Sequence, residues 1–124
     1  MSKKLNEDYA WLRIKKDLER SVIQGDLKPG EVMLSIAEAS KKYGVGKITV
    51  QRAFNEMAAE GSVIKRQGSG HFVANVDIGK LKDKHLAYLR DSLTACWHEA
   101  SSLGLDRADF KGYVIESLNF PEKN

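Results

Sequence analysis

The sequence predicts a mostly α-helical protein with one small β-hairpin: a winged helix-turn-helix over residues 8–76, followed by an α-helical hairpin over residues 77–120. Three observations predict this fold. Apolar residues recur at helical spacing in three segments of the first part, a Gly-rich tip separates two short strand-like segments behind them, and a heptad-like pattern follows a polar connector. With 124 residues, of which 42% are hydrophobic, the chain has apolar side chains for one modest core.

The first predicted helix spans residues 9–24. Its apolar side chains recur at steps of three and four, with charged residues between them: Trp11, Ile14, Leu18 and Val22. Gly25 ends the helix, and Pro29 followed by Gly30 predicts a tight turn before the next element.

A short second helix is predicted to begin after Ser35. Ser35 and Glu38 have the spacing of a capping box, in which each side chain accepts a hydrogen bond from the other residue's backbone N–H. The helix should run to about Tyr43, where Gly44 suits a left-handed C-cap. The third helix then begins near Lys47, as expected of a helix-turn-helix.

The third helix has one apolar face and one polar face. Val50, Ala53, Phe54 and Met57 share the side that should be buried. The remaining side chains lie on or beside the opposite face: Lys47, Ile48, Gln51, Arg52 and Asn55.

The predicted wing is a β-hairpin that follows Gly61. Residues 62–66 and 71–74 have the composition of short strands, and residues 67–70, with two glycines, form the tip between them. Lys65, Arg66 and His71 flank this tip.

The second part should be a long helix from about residue 80 to Ser102, joined to a shorter helix capped by Asp106. Apolar residues of the long helix follow a and d heptad positions, which predicts a seam against a second copy of the chain. The residues assigned to dimerisation are Leu86, Leu89, Leu93, Cys96, Trp97 and Ala100. The shorter helix should bury Phe110, Val114 and Leu118.

Charge and cysteine content limit the classes of function. Up to Val76 there are 13 Lys and Arg against 9 Asp and Glu, and beyond it 7 against 8, so the basic excess lies in the first part and favours a polyanionic partner. A single cysteine excludes an internal disulfide and fits the cytoplasm. No segment predicts a signal peptide or a membrane span.

Together these patterns predict binding to double-stranded DNA. The exposed start of the third helix is suited to enter a major groove, where Gln51 would pair with adenine, Lys47 would contact guanine or phosphate, and Thr49 would position a phosphate. Ser35 is first a cap, although its helix start also suits a phosphate. The predicted DNA-binding residues are Ser35, Lys47, Ile48, Thr49, Gln51, Arg52, Lys65, Arg66, Gln67, Gly68, Ser69 and His71.

Three segments, residues 25–30, 43–50 and 68–73, resemble the GntR superfamily of bacterial regulators over about residues 9–74. The two-helix tail resembles its YtrA-type subfamily of small dimeric repressors. The resemblance implies DNA contacts by the start of the recognition helix, the start of the second helix and the wing. These roles fall on Ser35, Lys47, Ile48, Thr49, Gln51, Gln67, Gly68 and Ser69.

The chain departs from the usual GntR pattern at several of these positions. Leu34 stands where the family usually has proline and Gly46 where it has Ser or Thr. Ala37 and Gln51 each replace an arginine, and Lys47 keeps the charge of the usual arginine without its planar pair of donors. We therefore expect an operator sequence different from that of typical members.

The predicted function is a dimeric transcription repressor that binds a palindromic operator, with an unidentified small-molecule effector as a further partner. Two alternatives use the same fold: a protein-interaction module, and a sensor of a small ligand or metal. The spacing of Cys96 and His98, two apart on a helix, disfavours a shared metal ion. No catalytic constellation or cofactor motif is present, so neither an enzyme nor a cofactor is predicted.

Overall fold

The computed structural model describes residues 3–119 and confirms the predicted fold class. The elements are α1 (Lys3–Gln24), α2 (Ile36–Tyr43), α3 (Lys47–Ala59), β1 (Val63–Arg66), β2 (Gly70–Val73), α4 (Ile78–Ser102) and α5 (Arg107–Leu118). The chain divides into two compact units, one ending at Lys82 and the other beginning at Asp83. Residue 120, the predicted end of the second domain, lies outside the described residues.

The core of the first unit is built around α3, which packs against α1, α2 and β1. Val50, Ala53, Phe54 and Met57 are at most 1% exposed, so the buried face predicted for this helix is confirmed. Ile14 of α1 meets them in the same cluster. Because residues at these spacings share one side of a helix, their burial turns the opposite side of α3 outward.

α2 is fixed at both ends by local hydrogen bonds. The Glu38 N–H donates to Ser35 Oγ at 3.0 Å, and the Ser35 N–H donates to Glu38 Oε1 at 2.9 Å, which confirms the capping box. At the other end Gly44 has φ 66° and donates its N–H to the Ser40 carbonyl. Glycine suits this left-handed conformation because it has no Cβ.

Polar side-chain contacts join α1 to the rest of the unit. Lys15 is buried and its Nζ lies 2.6 Å from Glu60 Oε1, just beyond the end of α3. Tyr43 donates its hydroxyl hydrogen bond to Asp17 Oδ2 at 2.6 Å. Burial and this carboxylate raise the pKa of Tyr43, so the hydroxyl keeps the proton that it donates.

The wing contains a third extended segment that the sequence did not predict. β1 and β2 pair antiparallel, with Val63 opposite Val73, and an isolated bridge joins Val32 to Phe72. The Met33 N–H donates to the His71 carbonyl at 2.8 Å. The linker between α1 and α2 therefore extends the hairpin by hydrogen bonding along β2.

His71 lies in the core between the wing and α3. Its side chain is 8% exposed, and its ring meets Phe54 edge-on with 4.8 Å between centroids. Burial lowers the pKa of His71 below the usual 6.5, and the charge of Lys65 lowers it further. The neutral imidazole is thus the form that suits this position.

Two helices begin earlier than the sequence predicted. α1 begins at Lys3 rather than at residue 9, because residues 3–8 include no Gly or Pro and extend the helix beyond its apolar pattern. α4 begins at Ile78, since Asp77 accepts a hydrogen bond from the Lys80 N–H at 3.1 Å and caps the helix. No helix within residues 3–119 is both long and apolar enough to cross a membrane.

The second unit has little buried surface of its own. Trp97 of α4 meets Phe110 of α5 with 5.6 Å between ring centroids, and the predicted cap of α5 is confirmed by the Asp106 and Asp109 hydrogen bonds. The prediction of a buried α5 face is wrong: none of its side chains is fully buried, and Leu118 is 79% exposed.

We expect Ser35→Ala to lower the free energy of unfolding by about 1 kcal/mol, because the Glu38 N–H loses its acceptor. Urea denaturation followed by circular dichroism measures the change. Ser101→Ala, which removes an exposed serine hydroxyl from α4, is the matched control and should change stability much less. Equal effects of the two substitutions would contradict the cap's role.

We also expect stability to fall as the pH is lowered from 6.5, the usual pKa of histidine, to below the lower pKa of His71 in the folded chain, because the unfolded chain binds a proton at His71 more readily than the folded chain does. The contribution is complete above pH 6.5 and is lost as the pH falls through the lower pKa of the folded state. Denaturation of His71→Gln should show a flatter pH slope, with His98→Gln as the comparison. A slope unchanged by His71→Gln would contradict this assignment.

Candidate nucleic-acid interface

The first turns of α3 present several of the predicted DNA-binding residues at the surface. Lys47, Gln51 and Arg52 are exposed, Ile48 is 84% exposed and Thr49 is half-buried. The half-buried position of Thr49 is compatible with the phosphate-positioning role that the sequence predicts for it. The exposed set combines two cations, an amide and one large apolar side chain.

The start of α3 also leaves its backbone donors without a side-chain cap. Gly46 occupies the N-cap position with extended backbone, φ −70° and ψ 158°, and no side-chain hydrogen bond caps the helix there. The first N–H groups of a helix have no partner within the helix and carry partial positive charge. Lys47 therefore adds its charge to a helix end that already attracts anions.

Arg52 is held in place by a residue that the sequence reasoning did not single out as functional. Its guanidinium carbon lies 4.4 Å from the centroid of the Trp11 ring of α1, a cation–π distance. Trp11 is half-buried against the core, so it gives Arg52 a fixed support. The helical spacing of Trp11 in α1 predicted only a core residue and carried no signal of this contact.

Ser35 is exposed at the start of α2, but its polar groups already have partners. Its hydroxyl accepts from Glu38, and the two hydrogen bonds with Ser35 lower the pKa of the Glu38 carboxyl. Glu38 is thus ionised at neutral pH and lies at the helix start. A phosphate approaching here would have to displace that carboxylate from the Ser35 N–H.

The wing tip is exposed and cationic. Lys65 and Arg66 end β1, and the tip residues Gln67, Gly68 and Ser69 follow them. Gly68 has φ 79°, which permits the tight turn. The Arg66 guanidinium lies over the Phe72 ring at 5.1 Å, so this cation is supported across the strand.

His71 does not share the exposed surface. Its side chain faces Phe54 inside the unit, whereas the sequence placed it among the DNA contacts of the wing. The register of the hairpin explains the difference, since side chains alternate between the two faces of a strand and His71, like Val73, points inward. We correct the predicted set by removing it.

In the second unit four of the six predicted dimerisation residues form an exposed α4 face: Leu86 (45%), Leu89 (54%) and Leu93 (48%), with the exposed Cys96. The other two predicted residues are less exposed. Ala100 is 7% exposed, and Trp97 is half-buried against Phe110, with the Arg107 guanidinium 5.3 Å from its ring. Both are used for packing within the chain, because α5 folds back onto this end of α4.

Curated relatives that resemble this chain include transcriptional regulators from two bacteria. An arabinose metabolism transcriptional repressor from Halalkalibacterium halodurans is 30% identical over 86 residues, which are 65% of this chain and 23% of the relative. The chain thus spans less than a quarter of the length of this relative. The uncharacterized HTH-type transcriptional regulator YhcF from Bacillus subtilis is 29% identical over 80% of this chain and 81% of its own.

Solved structures show the same fold. A GntR family transcriptional regulator from Listeria monocytogenes superposes with a TM-score of 0.69 at 21% identity, covering 86% of this chain and 92% of its own. AraR(DBD) in complex with operator ORR3 has a TM-score of 0.51 at 25% identity and covers 52% of this chain and 78% of its own.

The family model described as "Bacterial regulatory proteins, gntR family" matches residues 11–73, which include α2, α3 and the wing and make up just over half of the chain. The match contains the exposed helix start, its supporting core and the cationic tip described above. The chain belongs to the GntR family of bacterial regulatory proteins.

Proposed function

We propose that the protein is a sequence-specific DNA-binding transcription repressor that acts as a homodimer on a palindromic operator. The observation that carries the proposal is the exposed start of α3, where Lys47, Ile48 and Gln51 stand clear of a buried core. N-terminal residues of a recognition helix contact base edges in the major groove. The wing tip, with Lys65 and Arg66, supplies charge for the flanking phosphates.

The relatives support this proposal through their own described roles. One is named a transcriptional repressor, and AraR(DBD) is solved in complex with an operator. The family match covers residues 11–73, which lie in the first part of this chain. We therefore assign residues 8–76 to DNA binding.

We assign residues 77–120 to dimerisation through the exposed α4 face defined by Leu86, Leu89, Leu93 and Cys96. Leucines that are about half exposed at heptad positions favour a partner helix, because burying each one releases apolar surface from water. A twofold dimer would present two copies of α3 to half-sites about 10 bp apart. An effector that changed this spacing would change operator affinity.

Two helices after the wing also favour membership of the YtrA-type subfamily. A regulator that binds chromosomal DNA would act in the cytoplasm, which is the location we propose. The alternative of a metal-responsive sensor has no supporting cluster: within the described part of the chain, no three His, Cys, Asp or Glu side chains lie together as metal ligands.

The protein-interaction alternative predicts a different dependence of DNA binding on salt concentration. A DNA binder loses affinity steeply as salt rises, because counterions compete for the phosphates.

One experiment can identify the operator and test the α3 residues that we propose contact it. Repeated selection of the dimer on a library of random-sequence duplexes should enrich one palindrome. Lys47→Ala with Gln51→Ala should then lower affinity for that duplex by at least about tenfold, since base contacts of this kind contribute about 1–3 kcal/mol each. Fluorescence anisotropy titration measures the affinity.

Lys111→Ala with Gln24→Ala is the matched control, because it removes the same side-chain types from exposed positions outside α3. This control should bind like the unmodified protein, and both double variants should keep its thermal stability. Undiminished affinity of the Lys47 and Gln51 variant would remove α3 as the reading helix. A failure to enrich any sequence would defeat the proposed function.

Charged substitutions on the exposed α4 face test whether this face forms the dimer interface. Leu89→Asp with Leu93→Asp should yield monomers in analytical ultracentrifugation and weaken DNA binding, because two carboxylates per chain would have to be buried at the seam. Ala87→Asp with His98→Asp introduces the same groups at exposed positions of α4 outside the heptad seam and should leave the dimer intact. A dimer that persists in the leucine variant would contradict the assignment.

A further inference from the structure

We infer that Ile48 reads the methyl group of a thymine in the operator. This thymine lies in the base pair whose adenine Gln51 contacts, or in the neighbouring base pair. The inference rests on the proposed function and gives it a chemical specificity: an A·T pair in each half-site recognised partly through an apolar contact. It follows from the exposure of one side chain, its position on α3 and the chemistry of the major groove.

Among the side chains described from Tyr9 to Asn119, Ile48 is the most exposed large apolar one, at 84%, above Leu118 at 79% and Leu103 at 75%. It contributes nothing to the core beneath it, whose α3 members are Val50, Ala53, Phe54 and Met57. A β-branched residue also loses side-chain freedom in a helix. Neither packing nor helix stability therefore accounts for an isoleucine at this position.

The apolar group that duplex DNA presents in its major groove is the C5-methyl of thymine. The other features of the base edges there are hydrogen-bond donors and acceptors, which isoleucine cannot satisfy. Burying Ile48 against any of them would leave a polar group without a partner, at a cost in binding free energy. Contact with thymine instead removes apolar surface from water on both molecules.

Ile48 and Gln51 lie three residues apart and therefore share one side of α3. Their separation along the helix axis is about 4.5 Å, from a rise of about 1.5 Å per residue. Base pairs follow one another about every 3.4 Å. Side chains so spaced reach the same base pair or neighbouring ones, and glutamine pairs best with adenine, the partner of thymine.

Replacement of thymine by deoxyuridine tests the inference, because it removes the methyl and leaves base pairing unchanged. The probe is the palindromic duplex recovered by the selection above, with each thymine of one half-site replaced in turn. At one position the unmodified protein should lose about fourfold in affinity, the effect of one methyl-sized group leaving an apolar contact. Ile48→Ala should bind the thymine and uracil duplexes equally well.

Val32→Ala is the matched control: it shortens another exposed β-branched side chain, 59% exposed and outside α3, and should keep the full effect of uracil. The inference fails if no uracil substitution lowers affinity, or if one lowers it equally for the unmodified protein and Ile48→Ala. Either result leaves an enriched palindrome, and with it the proposed function, in place.

Discussion

The burial of one side of α3 is the constraint on which the rest of this structure depends. Val50, Ala53, Phe54 and Met57 are anchored against α1, α2 and β1, and they fix the rotation of the helix about its own axis. A rotation of one residue, about 100°, would bring polar side chains into the core and leave them without hydrogen-bond partners. The outward direction of Ile48 and Gln51 is thus set by residues that never touch solvent.

Much of the fold could be predicted because its signals are local. The capping box of Ser35 and Glu38, the left-handed Gly44 and the alternation of faces on α3 each depend on residues within a few positions of one another. Such patterns follow from helix geometry and need no knowledge of the rest of the chain. The exposed cationic start of α3 follows from the same geometry.

The parts that sequence could not supply are contacts between distant segments. The sequence predicts His71 among the polar groups beside the tip, but the pairing register of the hairpin turns it toward Phe54. Trp11 beneath Arg52, and Phe110 beside Trp97, likewise join residues whose separation along the chain gives no indication of contact. A heptad pattern identifies an apolar helix face and cannot tell whether a partner chain or a neighbouring helix covers it.

The hydrogen bonds between the first linker and β2 have a mechanical consequence. Gly30 donates to the Val73 carbonyl, Val73 donates to the Glu31 carbonyl, and Met33 donates to His71, each at 2.8–2.9 Å. A movement of the hairpin away from α3 would have to break these three hydrogen bonds or move the linker between α1 and α2 together with the hairpin. The tip is therefore braced at its base, so a force applied there is shared with the segment that leads directly into Ser35.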